Sequence, residues 1–303
     1  MLLVTGVTGF IGNHLSKNIK SARYVVLNRN ECSFSDIYHV ENINGNTSWQ
    51  GAFHDIDVIV HLAGVAHIHS ASSHYYKEVN TEGTIQLARE AVKAGVKRFV
   101  FVSSIGVNGT STRELPFKDS SIPCPHNSYA QSKYDAELGL KEIAEKTGLE
   151  VVIVRPTLVY GPSAPGNFGM LTRLINKFPF LPFGLANNRR DFIAVQNLAD
   201  LLVTCAKHPA AAGHTFLASD GNTVSIKEFT GAIAKGLGKR VFQLAIPVTL
   251  MRLAGKLVGK SDMIEQLYGN LEVDSSSIKD VLDWTPPLTM KQAMVTLRDT
   301  GTK

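Results

Sequence analysis

Short apolar runs alternate along this chain with glycine turns and amphipathic stretches. Leu2-Leu3-Val4-Thr5 reads as a strand, and Gly6-Val7-Thr8-Gly9-Phe10-Ile11-Gly12 turns from it directly into a helical pattern over residues 13–20. Tyr24-Val25-Val26-Leu27 reads as a second strand, and Asp57-Val58-Ile59-Val60-His61-Leu62 as another that ends in Ala63-Gly64. Over residues 75–94, Val79, Ile85, Leu87, Ala88 and Ala91 recur at helical spacing; Gly95 stops that helix, and residues 96–102 form the next strand. A further helix carries Tyr129 and Lys133, continues to about Lys146 and is capped by Gly148, after which residues 150–155 form a strand closed by Pro156. Residues 31–51 are polar and show no period that places a strand.

This alternation predicts an α/β fold: a Rossmann-type doubly wound parallel sheet over residues 1–160, with a smaller carboxyl-terminal substrate-binding part over 161–303, some segments of which return to the first. In the opening turn Gly6 permits a tight bend, Gly9 lets a diphosphate approach the backbone and Gly12 lets the helix pack on the strand, while the free amides at Phe10 and Ile11 face the anion. The second strand ends in Asn28-Arg29, where an NAD site usually carries an acid for the ribose hydroxyls. With the acid missing and an arginine present, the cofactor is NAD(H) or NADP(H), with a lean toward NADP(H). Leu62, Ala63 and the small residue Gly64 offer a surface for the cofactor's ribose and phosphate.

Tyr129 and Lys133 lie four apart on one helix face, so an ammonium can sit beside a phenol and stabilise its ionised form. A free phenol titrates near about 10, and a general acid/base works best with a pKa nearer the working pH. Ser103 and Ser104 end the strand at 96–102, where ligands bind in an open α/β sheet. His61, His67 and His69 lack carboxylate or thiolate company, so no metal site is expected. The formal charge of +5 is scattered, which excludes a nucleic-acid footprint and suits an anionic small substrate. The three cysteines, Cys32, Cys124 and Cys205, are widely spaced and read as reduced bystanders in a cytoplasmic protein. The amino terminus reads as a strand and not a signal peptide, and no apolar run approaches the roughly 20 residues of a membrane span. The stretch 246–258 is apolar with Pro247, Arg252 and Lys256 as punctuation; a partly buried helix is expected there in preference to a membrane contact.

Taken in order, the Gly6/Gly9/Gly12 turn, His61-Leu62-Ala63-Gly64, Ser103-Ser104, Tyr129-x-x-x-Lys133 and Arg155-Pro156-Thr157-x-x-Tyr160-Gly161-Pro162 resemble the extended short-chain dehydrogenases/reductases of the NAD-dependent epimerase/dehydratase family. The resemblance implies that Ser104 is a catalytic hydroxyl, Tyr129 the general acid/base, and Lys133 the residue that holds the nicotinamide ribose and lowers the tyrosine's pKa. It further implies that Asn80 supports the site and that Ser103 and Pro156 line the cofactor. Gly166-Asn167-Phe168-x-Met170-Leu171 resembles the loop that cradles a UDP-sugar through Asn167, Met170 and Leu171, and Arg190-Asp191-Phe192-Ile193 resembles a segment whose arginine grips the pyrophosphate. Val273-Asp274-Ser275 and Leu282-x-Trp284-x-Pro286 match the closing segment of that branch. Two departures stand out: Asn28 in place of the acid, and no second phosphate-binding arginine around Tyr268-Gly269-Asn270-Leu271.

Within the branch, residues 217–284 look most like reductases of bacterial surface-polysaccharide pathways. The leading expectation is therefore NAD(P)H-dependent reduction of the C4 ketone of a UDP-linked 2-acetamido-2,6-dideoxy-4-keto sugar, giving a UDP-N-acetylquinovosamine or N-acetylfucosamine type product. The alternatives are a UDP-hexose or UDP-N-acetylhexosamine 4-epimerase with tightly held NAD and, from another class, a non-catalytic dinucleotide sensor. Homodimerisation through two helices per subunit is the family's habit, on which the residues themselves decide nothing.

Overall fold

The computed structural model of the chain describes residues 1–27, 33–66 and 72–298. Its centre is a sheet of seven parallel strands: β1 (Leu2–Thr5), β2 (Ala22–Leu27), β3 (Ile37–Val40), β4 (Val58–His61), β5 (Arg98–Val102), β6 (Glu150–Pro156) and β10 (Thr215–Ala218). Their spatial order is β10-β6-β5-β4-β1-β2-β3, so the winding reverses between β1 and β4. At such a reversal the loops leaving the two strands diverge and open a crevice at their carboxyl ends. The expected doubly wound sheet is present. β3, for which the sequence carried no period, is a four-residue edge strand paired only with β2.

Strand residues alternate between two cores. Val4, Val100, Val102, Val152 and Val154 face one layer with Leu198, Leu202 and Trp284, whereas Leu3, Phe99, Phe101, Val151 and Ile153 face the other with Leu87, Ala88 and Leu140. The first layer is covered by α1 (Phe10–Ser16), α6 (Val195–Lys207) and α10 (Ser276–Leu282), and the second by α3 (Gly83–Lys93) and α4 (Ser128–Thr147). A parallel sheet buried on both faces needs apolar residues at every position, which explains the unbroken run Phe99-Val100-Phe101-Val102.

Ahead of α3 the helix does not run evenly. α2 (Ser73–Tyr76) passes into a π-turn at Lys77–Glu82 before α3 begins. A third core gathers around Tyr160, Phe168, Phe192 and Phe229, the last two stacked with ring centroids 3.7 Å apart. It draws on α5 (Gly166–Lys177), α7 (Ile226–Gly236), α8 (Val248–Leu257), α9 (Ser261–Tyr268) and α11 (Met290–Val295), with the short strand pairs β7 (Leu158–Tyr160)/β9 (Phe192–Ala194) and β8 (Phe180–Leu181)/β11 (Phe242–Gln243). No helix among the described residues is long and apolar enough to cross a membrane.

His61 closes β4 and is fully buried, with Nδ1 2.7 Å from the Thr5 hydroxyl of β1 and Nε2 2.9 Å from the Thr84 hydroxyl of α3. It thereby ties two strands to a covering helix. Burial, with help from the charge of Lys133, pushes its pKa from 6.5 down to about 3. A depressed folded pKa means that the unfolded chain takes up the proton first, so this contribution to stability is present above pH 6.5 and is lost as pH falls toward 3. Over that window the wild type is expected to lose about 1.4 kcal/mol per pH unit more than His61→Gln. Urea unfolding of both proteins at several pH values between neutral and acid measures the difference, and parallel curves would count against a neutral, buried His61.

Candidate active site

At the reversal point, backbones approach so closely that side chains are excluded. Gly6 has φ +75°, and a Cβ there would lie 2.6 Å from Ala63 N; a Cβ on Gly12 would lie 2.2 Å from Gly6 O. Gly9 precedes α1 in extended conformation, and its amide donates to Gly6 O at 3.0 Å. The turn therefore presents bare backbone, which fits the approach of a dinucleotide's diphosphate. Ile11 and Leu62 pack toward the sheet core, and Phe10 toward the third core with its ring edge-on to His14. Ala63 N donates to the Thr5 hydroxyl at 3.2 Å. Pro156 ends β6 beside Ala218. Asn28 and Arg29 lie outside the described residues.

The proton-transfer candidates meet across two elements. Ser104 leaves the end of β5, and its hydroxyl accepts from Gly106 N at 3.1 Å, which caps a short 3₁₀ turn at Ile105–Val107. Asn127 caps α4 by accepting from Ala130 N, so the helix starts in register to put Tyr129 in its first turn. The Tyr129 phenol lies near enough to Ser104 for that hydroxyl to favour its ionised form. Tyr76 sits edge-on to Tyr129 with ring centroids 6.1 Å apart. One turn on, the Lys133 ammonium is buried, donates to Val102 O at 3.0 Å and lies over the Phe101 ring at 4.6 Å. A Cβ on Gly64 would come within 3.2 Å of it, so the loop after β4 runs directly against the ammonium.

This arrangement corrects one expectation. Burial pushes the Tyr129 phenol up from 10.0; Ser104 opposes the rise and Tyr76 adds to it. The sequence reading has Lys133 lowering that pKa, whereas here its ammonium donates to Val102 O and the shift is set by burial, Ser104 and Tyr76. Burial also lowers the pKa of Lys133 itself to about 8, against the opposing pull of the Glu137 carboxylate.

Asn80 sits in the π-turn, fully buried. It accepts from Val65 N at 2.7 Å and donates to Val65 O and to the Ser132 hydroxyl, both at 3.0 Å, while Thr81 donates to Ser132 O at 2.8 Å. The extra residue of the π-turn thus clamps α4 to the loop after β4. Beneath the site lies an ionic group that the sequence reading did not single out. Arg155 of β6 donates through Nε at 2.9 Å and through Nη2 to the two oxygens of Glu137, and through Nη1 to Asn108 Oδ1 at 3.0 Å. Ser103 donates its hydroxyl to Glu137 Oε1 at 2.5 Å, so that hydroxyl is spent below the sheet end and not on the crevice. The available signal was spacing, since Glu137 follows Lys133 by four as Lys133 follows Tyr129.

On the other wall, Arg190 is buried between Val224 and Leu271, donates to Gly269 O at 2.9 Å and has its pKa lowered by burial to about 10. Asp191 accepts from the Thr223 hydroxyl and from Val273 N, which fastens the closing segment to the start of β9. Asn167 and Met170 lie on α5, the first bonded to Gln266 and the second exposed. The segment resembling a cradle loop is thus helical, and Leu171 is buried in the third core, where it has no face for a ligand.

Residues 2–218 match the NAD dependent epimerase/dehydratase family. Over 302 residues the chain is 41% identical to UDP-glucose 4-epimerase of Vibrio cholerae, an alignment that spans 96% of this chain and 92% of that one. Among solved structures, UDP-glucose 4-epimerase of Thermotoga maritima with UDP-glucose superposes with a TM-score of 0.76 at 21% identity, covering 99% of each chain. RMD of Pseudomonas aeruginosa complexed with NADPH gives a TM-score of 0.73 at 22% identity, over 99% of this chain and 98% of that one. Those two likenesses bear on the fold, which they share.

The Glu137–Arg155 pair supplies a stability test. Glu137→Leu strands a buried guanidinium and is expected to cost about 3–5 kcal/mol in urea unfolding, whereas Glu137→Leu combined with Arg155→Met recovers most of that loss. A single variant as stable as the wild type would show that water reaches the pair.

Proposed function

As the chain belongs to the NAD-dependent epimerase/dehydratase family, we propose that it oxidises and reduces C4 of a UDP-linked sugar, and that it runs this chemistry as a 4-epimerase. The observation that carries the reading is the Tyr129 phenol set near the Ser104 hydroxyl at a strand end, beside a turn stripped of side chains. The 41% identity to a UDP-glucose 4-epimerase over nearly the whole chain favours the epimerase over the reductase that residues 217–284 suggested first. A bound dinucleotide supplies the hydride acceptor and donor. Acting as a phenolate, which Ser104 helps to stabilise, Tyr129 accepts the proton of the C4 hydroxyl as the carbonyl forms and returns it when the other face is reduced. Ser104 donates to the same oxygen, and such donors act most strongly where negative charge is greatest, in the transition state. Lys133, held by Val102 O against Gly64, supplies a fixed positive charge on the cofactor side, and Asn80 keeps α4 and the loop after β4 in register. Arg190 pairs with the sugar nucleotide's diphosphate, for which a planar guanidinium is suited.

A second reading is reduction of a UDP-4-keto sugar with NADPH. It is favoured by the raised pKa of Tyr129, which keeps the phenol protonated and ready to donate to an alkoxide, and by Asn28 in the place of a ribose-binding acid.

The deciding experiment is mass analysis of the dialysed protein for retained dinucleotide, followed by NMR of UDP-glucose and UDP-N-acetylglucosamine incubated with it. Retained NAD and interconversion at C4 are expected. Turnover only of a UDP-4-keto sugar with added NADPH would establish the second reading, and no turnover of either class would overturn both. Tyr129→Phe should lower kcat by about 10²–10⁴-fold while leaving dinucleotide binding intact. The pH profile follows from Lys133: its positive charge is present below about 8, so activity should fall as pH rises through that value. A profile flat to pH 10 would remove the ammonium from the mechanism.

A further inference from the structure

The turn after β5 has a glycine that its backbone does not require. Gly106 does not adopt a positive φ, yet a Cβ there would lie 3.3 Å from the Ser104 hydroxyl, 3.5 Å from Cε1 of His126 and 3.6 Å from the Ala130 side chain. The missing side chain leaves a gap beside Ser104, and an imidazole borders that gap.

Two contacts hold the imidazole there. Cys124 N donates to Val107 O at 2.8 Å, which ties the segment ahead of α4 to the 3₁₀ turn that contains Gly106. Pro123 and Pro125 restrict the backbone on either side of that bond. Asn127 then orients the ring. Its carbonyl oxygen is spent on the Ala130 amide in capping α4, so its amide nitrogen, 2.9 Å from His126 Nε2, donates to that ring. Nε2 therefore accepts and the ring proton rests on Nδ1, which has no hydrogen-bond partner among the described residues. Cε1, the atom that meets the gap, is bonded to Nδ1, so an unused donor stands at the same edge of an exposed ring.

We propose that His126 is a substrate-contact residue of the 4-epimerase, donating from Nδ1 to a sugar hydroxyl next to C4, on C3 or at C6, while the gap at Gly106 receives that part of the sugar. With the C4 oxygen between Ser104 and Tyr129, the groups nearest to it are the substituents of the two adjoining ring carbons. In a UDP-hexose those are the C3 hydroxyl and the hydroxymethyl group that carries C6, each able to accept a hydrogen bond. A donor placed there selects sugars that carry the hydroxyl over deoxy sugars, which leave it unpaired. The placement of the C4 oxygen rests on the epimerase reading given above.

The test measures turnover and equilibrium affinity of wild type, His126→Phe and His126→Gln with UDP-glucose, UDP-3-deoxyglucose and UDP-6-deoxyglucose. Wild type is expected to prefer UDP-glucose to one of the two deoxy sugars by about tenfold in kcat/KM and in affinity, and the sugar it rejects identifies the hydroxyl. His126→Phe keeps a ring without the donor and should erase that preference by weakening UDP-glucose alone, in KM more than in kcat. His126→Gln supplies an amide donor and should restore part of it. Equal loss for all three sugars would show a structural role only and overturn the proposal, as would no loss for any of them or no preference in the wild type. Affinity separates these outcomes from failure of the epimerase reading. UDP-glucose that binds without interconversion would sink that reading, while the affinity ratios would still decide on His126; a protein that binds none of the three sugars would overturn both.

Discussion

The Glu137–Arg155 ion pair, almost wholly withdrawn from water, underlies the whole site. A buried pair is tolerable only if its remaining donors and acceptors are met, and here Ser103 and Asn108 meet them. The four residues come from α4, from β6 and from the end of β5 and its loop. Satisfying them together sets the depth at which α4 sits on the sheet. Because Tyr129, Lys133 and Glu137 share one face of α4, the depth of the carboxylate also sets the height of the ammonium and of the phenol. The carboxylate acts on the ammonium electrically as well, by holding the Lys133 pKa above the value that burial alone would impose.

Close backbone approach is the second constraint. Gly6 against Ala63, and Gly12 against Gly6, leave no room for a Cβ where the winding of the sheet reverses. The loop that leaves β4 then passes directly over Lys133 and is held there by Asn80 from the π-turn. Crevice floor, ammonium and clamp form one contiguous unit, and a shift in any of them moves the others. Much of the chain beyond β7 builds the opposite wall on its own aromatic core around Phe192 and Phe229. The α6–β10 segment, by contrast, returns to extend and cover the main sheet.

The parts legible in the sequence were those with local causes. Apolar runs between glycine stops located most strands of the parallel sheet, and the register of α4 followed from the start and stop signals around it. β3 escaped because a four-residue edge strand needs little apolar length and is stabilised by pairing with β2 alone. Leu171 was taken for a ligand contact on the strength of its motif, yet it turns inward, because α5 continues as a helix and an amphipathic helix buries one side. The π-turn left no signature of composition, since it is set by what Asn80 and Thr81 must reach across the interface.

By itself the sequence determined the fold class, the glycine turn and the spacing of Tyr129 and Lys133, all of which rest on periodicity and backbone sterics acting over a few residues. Tertiary structure alone decided where charges and protons sit. Burial raises the pKa of Tyr129 and lowers those of Lys133 and His61, and each shift depends on neighbours supplied from distant positions in the chain. Helical spacing can put an ammonium one turn from a phenol. Whether it bonds the phenol or the carbonyl of Val102 is settled by desolvation and by the groups that packing brings within reach.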